Sequence, residues 1–199
     1  MGSHGSDGHA HAADRQRVSA VRIRPVTRAV ARKAVLDWHS HHDPHVVDRL
    51  CIGAFVESDL VGVAVLASPI AGALDDGETW EVTRVAVGPN APPYTCSRLV
   101  GAATRAGLAI GLTLLVSYTR VDERGTCYLA ANWTPVAIAK GRRHDTGNRA
   151  LRWLPGLYEP STEVIDRVRW EIGPRSSPTG AERIDGRWSA ISPASQSHS

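Results

Sequence analysis

The residue best suited to acid–base chemistry is Glu81, which interrupts the apolar strand pattern of "TWEVTRVAV" (79–87). A carboxylate in such a strand must be paired or must face a cleft, because burying an isolated charge is costly. Arg84 is the nearest partner, but residues three apart in a regular strand point to opposite faces, so only a β-bulge would bring the two together. Glu81 and Arg84 are therefore a candidate base and its partner, or alternatively members of separate surface or interstrand salt bridges.

The turn "GPNAPPYTCS" (88–97) joins this strand to a helix that is predicted to begin near Thr95. A helix start has backbone N–H groups without helical partners, and together with the helix dipole they favour phosphate binding. Pro92 and Pro93 stiffen the turn, while Tyr94, Thr95 and Ser97 offer hydroxyls at its mouth. The simpler alternative is an ordinary capped connection with Thr95 as the N-cap.

Three cysteines, Cys51, Cys96 and Cys127, are an odd number at wide spacings, which predicts reduced thiols and neither a disulfide framework nor a zinc site. The position of Cys96 at a helix start predicts a lowered thiol pKa. Because no histidine is near it in the sequence, we expect a packing or phosphate-loop role for Cys96, not a nucleophilic one.

Histidines are concentrated at the end of the first predicted helix, as His39, His41, His42 and His45. Pro44 interrupts the helix between His41 and His45, and no HExxH-like pattern supports zinc, so no metal site is predicted. The cluster either faces a substrate or is a solvated helix end with imidazoles near the negative pole of the dipole.

A basic strip covers residues 140–152, with Asp145 as its one acidic residue. Its cations are Lys140, Arg142, Arg143, Arg149 and Arg152. The strip is either a binding surface for a polyanion such as DNA or a solvated basic loop.

The elements that must position these residues follow from apolar periodicity and turn residues. Thr27 is placed to cap a helix over 28–42, and a hairpin with Ser58 and Asp59 at its turn precedes the strand 79–87. The helix after the turn 88–97 carries Ile110 at the end of its apolar face. The predicted order is β-α-β-β-β-α-β-α-β-β, a mixed α/β (α+β) sheet of about seven strands with helices on both faces.

The length of 199 residues fits one domain, which we place at 20–173 between disordered tails at 1–19 and 174–199. No apolar run approaches the roughly 20 residues that cross a bilayer, and the N-terminus lacks a secretion signal. A cytoplasmic protein without membrane contact is expected.

The order of elements resembles the GNAT superfamily of acyl-CoA-dependent N-acyltransferases. The blocks "WEVTRVAV", "CSRLVGAATRAG", "AANWTPV" and "RVRWE" are similar to a branch of GNAT-like proteins carried by phages and mobile elements. More distantly they resemble the Mom proteins, which modify adenine in DNA. The match covers about residues 20–172.

The resemblance implies that acetyl-CoA or another acyl-CoA lies along the fourth strand and the start of the next helix. It implies that Tyr128, five residues before Trp133, is the general acid, and that the histidines and Tyr118 border the acceptor. The implied cofactor-binding residues are Val85, Ala86, Val87, Tyr94, Thr95, Cys96, Ser97, Arg98 and Ser117.

One departure from the superfamily concerns its phosphate loop, spelled Q/R-x-x-G-x-G/A in the turn itself. Here Arg98-Leu-Val-Gly101-Ala-Ala103 has that spelling but lies inside the predicted helix, and the turn has its glycine only at Gly88.

Two functions follow from the sequence. The first is acyl transfer to an amine, either an adenine base flipped out of DNA or a small-molecule or protein amine. The second is a GNAT-like module that binds nucleic acid or a nucleotide-containing ligand without turnover. The sequence leaves the oligomeric state open.

Overall fold

The structure is a computed structural model that describes residues 21–38, 48–141 and 164–191. Its centre is a seven-stranded mixed sheet in the order β1-β2-β3-β4-β5-β7-β6, and a separate two-stranded hairpin is formed by β8 and β9. The elements in chain order are β1 (Val21–Pro25), α1 (Arg28–Trp38), β2 (Leu50–Val56), β3 (Asp59–Ala67), β4 (Thr79–Val87), α2 (Thr95–Ala109), β5 (Leu114–Arg120), α3 (Thr126–Leu129), β6 (Thr134–Ala139), β7 (Arg167–Ile172), β8 (Ala181–Ile184) and β9 (Arg187–Ala190).

The predicted mixed sheet with helices on both faces is confirmed. On one face α1 buries Ala31, Ala34 and Val35 against the small apolar side chains of β3 and β4. On the other face α2 buries Leu99 and Val100 in the larger core cluster. Each strand of the first half alternates its side chains between these two clusters, which is why β2, β3 and β4 read as nearly continuous apolar runs.

The structure confirms the predicted cap of α1 and corrects one detail of α2. The described part of α1 ends at Trp38, and Thr27 Oγ1 accepts a hydrogen bond from Val30 N at 3.3 Å, as expected of an N-cap. Ala31, Ala34 and Val35 form the buried face of α1, and Val30 is 40% exposed. Ile110 follows the last residue of α2 and is 58% exposed, so it does not belong to the apolar face.

The β2–β3 hairpin is present, but its turn lies one residue earlier than predicted. Val56 pairs with Asp59, so Glu57 and Ser58 form the turn and Asp59 begins β3. Glu57 has a φ of 55° whereas Ser58 has no positive φ, and a two-residue hairpin turn with a positive φ only at its first position is of type II′.

The prediction of a disordered tail from residue 174 is wrong for 174–191. The strands β8 and β9 pair across a turn in which Asp185 has a φ of 47° and Gly186 a φ of 80°. Trp188 on β9 is buried, packs edge-on against Trp170 with ring centroids 5.1 Å apart, and donates from Nε1 to Glu123 O at 3.0 Å. The buried indole of Trp188 therefore anchors this hairpin to the core of the domain.

Candidate functional site

The site begins where β4 and β5 separate. These parallel strands pair only from Thr79 to Glu81 on β4 and from Leu114 to Val116 on β5. Both strands continue beyond this point, to Val87 and Arg120, without pairing to each other. The backbone of β4 from Val82 onward therefore has no strand partner on this side within the described residues. A peptide-like ligand could accept hydrogen bonds from this edge and donate to it.

Ser117 closes the bottom of this gap. It is the first β5 residue after the last parallel pair, and its Oγ donates a hydrogen bond to Val82 O at 2.8 Å. The same oxygen lies 2.7 Å from the hydroxyl of Tyr128. A serine hydroxyl has a single proton, so Ser117 accepts from Tyr128 while it donates to Val82.

Aromatic rings fix the position of Tyr128. Its ring stacks on Trp170 with centroids 5.4 Å apart and meets Trp133 edge-on at 5.4 Å. The indole of Trp133 donates to Thr104 Oγ1 at 2.9 Å, which ties the Tyr128 side of the site to α2. The phenol is buried, and this burial raises the pKa of Tyr128 above its usual value, so it stays protonated at neutral pH.

Gly125, the residue before α3, makes this ring packing geometrically possible. Its φ is 65°, and a Cβ at this position would stand 2.2 Å from Cζ2 of Trp170. Glycine is therefore required both for the left-handed conformation and for the close approach of the indole on which Tyr128 stacks.

Glu81 and Arg84 share a face of the sheet because β4 contains the bulge that their pairing requires. Val65 pairs with Arg84 whereas Leu66 pairs with Val82, which leaves Thr83 as the extra residue. The shared face is the one that α1 covers, since Val65 belongs to the α1 cluster. Arg84 also donates to Thr83 O at 2.6 Å.

Glu81 is buried, and Oε2 accepts a hydrogen bond from Ile70 N at 2.9 Å. Burial raises the pKa of Glu81, and this effect outweighs the opposing influence of the Ile70 N–H and of the Arg84 and Arg167 charges. A carboxyl group with a raised pKa at the end of the paired segment has the properties of a general base.

Three further polar residues share this face, and two of them were not identified from the sequence. Tyr118 pairs with Arg169, and Val116 pairs with Glu171, so Tyr118, Arg169 and Glu171 alternate onto the same side as Glu81. Glu171 is fully buried, accepts from Arg169, and also accepts from Ser177 N at 2.7 Å. Burial raises the pKa of Tyr118. The strand pattern of "RVRWE" was the signal, since alternate positions put Arg169 and Glu171 on one face and Trp170 on the other.

The start of α2 differs from its predicted form. The N-cap is Tyr94, which has a φ of 66° and is 79% exposed. Thr95 is buried, and its hydroxyl donates to Pro92 O at 2.7 Å, so it is not at the mouth of the turn. Ser97 Oγ donates to Tyr94 O at 3.0 Å. The hydroxyls of Thr95 and Ser97 thus stabilise the turn, and anion binding would depend on the N–H groups of the first helical turn.

Cys96 also differs from expectation, because its pKa is raised and not lowered. Its thiol is hydrogen-bonded to the thiol of Cys127 at the start of α3, and burial adds to the effect. The same contact lowers the pKa of Cys127, since a thiol donor stabilises a neighbouring thiolate.

The other predicted cofactor residues line the unpaired part of β4. Val85 and Val87 are half-buried beside the α2 cluster, whereas Ala86 is buried against α1. Their backbone, and not their side chains, faces the gap. Arg98 is exposed on α2.

Several predicted substrate residues lie outside the described residues, namely His39, His41, His42, Arg142, Arg143 and Arg149. From the basic strip, Lys140 is described and binds Asp166 at 2.8 Å. In the described ranges no group of His, Cys, Asp and Glu side chains is arranged to hold a metal ion, and no helix there is long and apolar enough to cross a membrane.

The fold and the separated strands define a GNAT acetyltransferase fold, and solved structures of that class match over most of the chain. An N-acetyltransferase from Staphylococcus aureus is 12% identical with a TM-score of 0.56, covering 79% of this chain and 100% of its own. An IAA acetyltransferase from Bacillus cereus is 16% identical with a TM-score of 0.53, and the match covers 77% of this chain and 99% of the acetyltransferase. A GNAT family acetyltransferase from Elizabethkingia anophelis with acetyl-CoA bound is 18% identical with a TM-score of 0.53. The match covers 77% of this chain and 97% of that acetyltransferase.

Within this class the chain belongs to the Mom protein family, whose sequence model matches residues 20–148. That range includes β1 to β6 and therefore Glu81, the α2 start, Ser117 and Tyr128. No curated protein sequence matches the chain.

Proposed function

We propose that this protein transfers an acyl group from acyl-CoA to an amine, and that the amine is the exocyclic amino group of adenine in DNA. The observation that carries the proposal is the hydroxyl of Tyr128, held by Ser117 at the point where β4 and β5 separate. Membership of the Mom family and the acetyl-CoA bound to a protein of the same fold support the donor and the acceptor.

The residues of the gap fit an acyl-CoA. Beyond Val82, whose carbonyl accepts from Ser117, the unpaired edge of β4 as far as Val87 offers backbone donors and acceptors for an amide-containing arm. The first turn of α2 offers N–H groups for the pyrophosphate. When bound, acyl-CoA supplies an acyl group activated as a thioester.

Tyr128 and Glu81 divide the proton transfers. Tyr128, whose buried phenol is protonated, would give its proton to the departing thiolate as the C–S bond breaks, with its hydroxyl turning from Ser117 toward the sulfur. Glu81, on the face of the sheet that α1 covers, would accept the proton that the attacking nitrogen loses as the N–C bond forms. An adenine amino group is already neutral, so Glu81 need not deprotonate it before attack.

The proposal is tested by titration calorimetry with acetyl-CoA and desulfo-CoA, followed by incubation with adenine-containing duplex DNA and mass spectrometry of the released nucleosides. We expect micromolar binding and an acylated deoxyadenosine that disappears with Tyr128→Phe. Acylation of an added polyamine or peptide but not of DNA would remove adenine as the acceptor. Absence of acyl-CoA binding would overturn the proposal.

A second candidate is a binding module without turnover, and the α2 start favours it. The turn has no glycine after Gly88, and the hydroxyls of Thr95 and Ser97 are engaged within the turn itself. This function predicts that DNA binding is retained, that no acyl transfer occurs, and that Tyr128→Phe leaves the cellular phenotype unchanged.

A further inference from the structure

A groove of about 570 Å³ runs beside α2 and ends at the residues after α3. From α2 it is lined by Ser97, Arg98, Gly101 and Arg105, and from the α3 side by Asn132. A volume of this size is within the range of small-molecule sites, about 300–1,000 Å³. Ser97 belongs to the first turn of α2, so the groove is continuous with the place where the pyrophosphate of acyl-CoA is proposed to bind.

The side chain of Arg105 extends back along α2 toward Arg98. Arg98, Gly101 and Arg105 are three and seven residues apart, so they lie on one face of the helix. The Nη1 atom of Arg105 lies 3.4 Å from the position that a Cβ on Gly101 would occupy. The guanidinium of Arg105 thus folds back over Gly101 toward Arg98, and Gly101 is only about 4.5 Å along the helix axis from Arg98.

Neither arginine has a counter-charge. Within the described residues, no ion pair or hydrogen bond is made by the Arg98 or Arg105 side chain, and the sequence of α2 contains no aspartate or glutamate. Their positive charges lie about two turns apart on the same helix face and repel each other. An anion bound between them removes this repulsion and gains charge-assisted hydrogen bonds.

We propose that Arg98 and Arg105 bind the 3′-phosphate at the nucleotide end of acyl-CoA. The inference rests on the proposed function for the donor. The pyrophosphate at the first turn of α2 leaves the adenosine and its 3′-phosphate to follow the groove. A phosphate monoester is the group with enough charge to engage two guanidinium groups. The apolar side chains of Val21, Ile23 and Ile172 on the groove wall suit the adenosine.

The test compares acetyl-CoA with acetyl-3′-dephospho-CoA by calorimetry. We expect the wild-type protein to bind acetyl-CoA at least about tenfold more tightly, and the Arg98→Gln/Arg105→Gln variant to bind both ligands with the affinity that the wild type has for the dephospho form. The matched control is Arg32→Gln, an exposed arginine on α1 at the opposite face of the sheet, which should keep the preference.

The outcomes separate this inference from the proposed function. Equal wild-type affinity for the two ligands would overturn the 3′-phosphate site and leave acyl-CoA binding intact. Failure of both ligands to bind would remove the proposed donor and the site together. An unchanged preference in the double variant, with weakened binding of duplex DNA, would assign the arginines to nucleic-acid phosphates instead and would likewise overturn the inference.

Discussion

The hydroxyl of Tyr128 and the Oγ of Ser117 lie 2.7 Å apart, and the serine donates its own hydrogen bond to Val82 O across the gap between two strands. This chain of hydrogen bonds fixes the direction of the Tyr128 proton. It also connects α3, β5 and β4 at the one point where the sheet opens. The phenol that is proposed as the acid is therefore also a structural link between these elements.

Replacing Tyr128 with phenylalanine separates those roles. The ring contacts with Trp170 and Trp133 remain, so we expect the free energy of unfolding to fall by only about 1 kcal/mol, the value of one buried hydrogen bond. Acyl transfer from acetyl-CoA should fall by about 100-fold or more, because the departing sulfur loses its acid. Urea unfolding and a thiol-release assay measure the two effects. A fully active Tyr128→Phe protein would exclude the phenol as the acid.

The second prediction concerns the pH dependence of stability at Glu81. Its pKa in the folded protein is raised by burial, so the folded state favours the protonated carboxyl group. The stabilisation from this group is fully present below the pKa of an unfolded glutamate, about 4.3, and is lost as the pH rises through the folded-state pKa. Relative to Glu81→Gln, which does not titrate, the wild type should lose stability over that interval.

Urea unfolding of the wild type and of Glu81→Gln at pH 4.5, 6 and 8 measures this loss of stability. Glu57→Gln, on the exposed β2–β3 turn, is the control. Over the same interval the acyl-transfer rate of the wild type should rise, since the base must be ionised. A constant difference in stability between wild type and Glu81→Gln at all three pH values would show that the Glu81 pKa is not raised.

Much of this architecture follows from the sequence, because β2, β3 and β4 have apolar runs that only a buried sheet accommodates and α2 has a clear apolar face. The side-by-side placement of Glu81 and Arg84 did not follow, since it depends on the bulge at Thr83, and nothing in "WEVTRVAV" marks which residue is extra. The half-buried Arg169 and the buried Glu171 were missed because charges in a strand usually indicate a solvated face.

The C-terminal hairpin was missed for a different reason. Its serines and prolines suggested disorder, yet Asp185-Gly186 between two short strands is a strong type I′ turn signal. The position of Tyr128 against Trp133 and Trp170, with Trp188 behind Trp170, also could not be predicted. Trp133 is close in sequence, but Trp170 and Trp188 reach the site only through the pairing of β7 and the packing of β9.

The third prediction tests the contribution of that hairpin. Trp188→Ala should lower the free energy of unfolding by about 3–5 kcal/mol, because it leaves a cavity against Trp170 and frees Glu123 O. Ile184→Ala on the same hairpin, at a side chain that is 50% exposed, should change it by less than about 0.5 kcal/mol. Chemical denaturation of both variants decides the matter. Equal, small effects would show that the hairpin does not contribute to the core.

The fourth prediction concerns thiol reactivity. Burial raises the pKa of Cys51 to about 11, whereas the contact with Cys96 lowers that of Cys127. Because the thiolate is the reactive form, iodoacetamide at pH 8 should modify Cys127 well before Cys51 in the folded protein. Peptide mass spectrometry over time measures the order, and Cys127→Ser should remove the fast phase. Faster labelling of Cys51 would contradict the assigned burial.

The fifth prediction separates backbone strain from steric contact at Gly125. Gly77→Ala is the matched control, because Gly77 has a φ of 86° and open space around its missing Cβ. That substitution should cost only the left-handed strain of about 1–2 kcal/mol. Gly125→Ala carries the same strain at a φ of 65° and in addition drives a methyl group into Trp170, which should add about 1–3 kcal/mol.

The added cost at Gly125 should also appear in function. Displacing Trp170 moves the surface on which the Tyr128 ring stacks, so the turnover rate of acyl transfer should fall while the affinity for acetyl-CoA, bound along β4 and α2, changes little. Calorimetric affinity and turnover measured on the same Gly125→Ala preparation distinguish the two. Gly77→Ala and Gly125→Ala could instead destabilise the protein equally and leave turnover intact. That result would show that Trp170 moves aside without disturbing Tyr128 and that the ring stack does not position the acid.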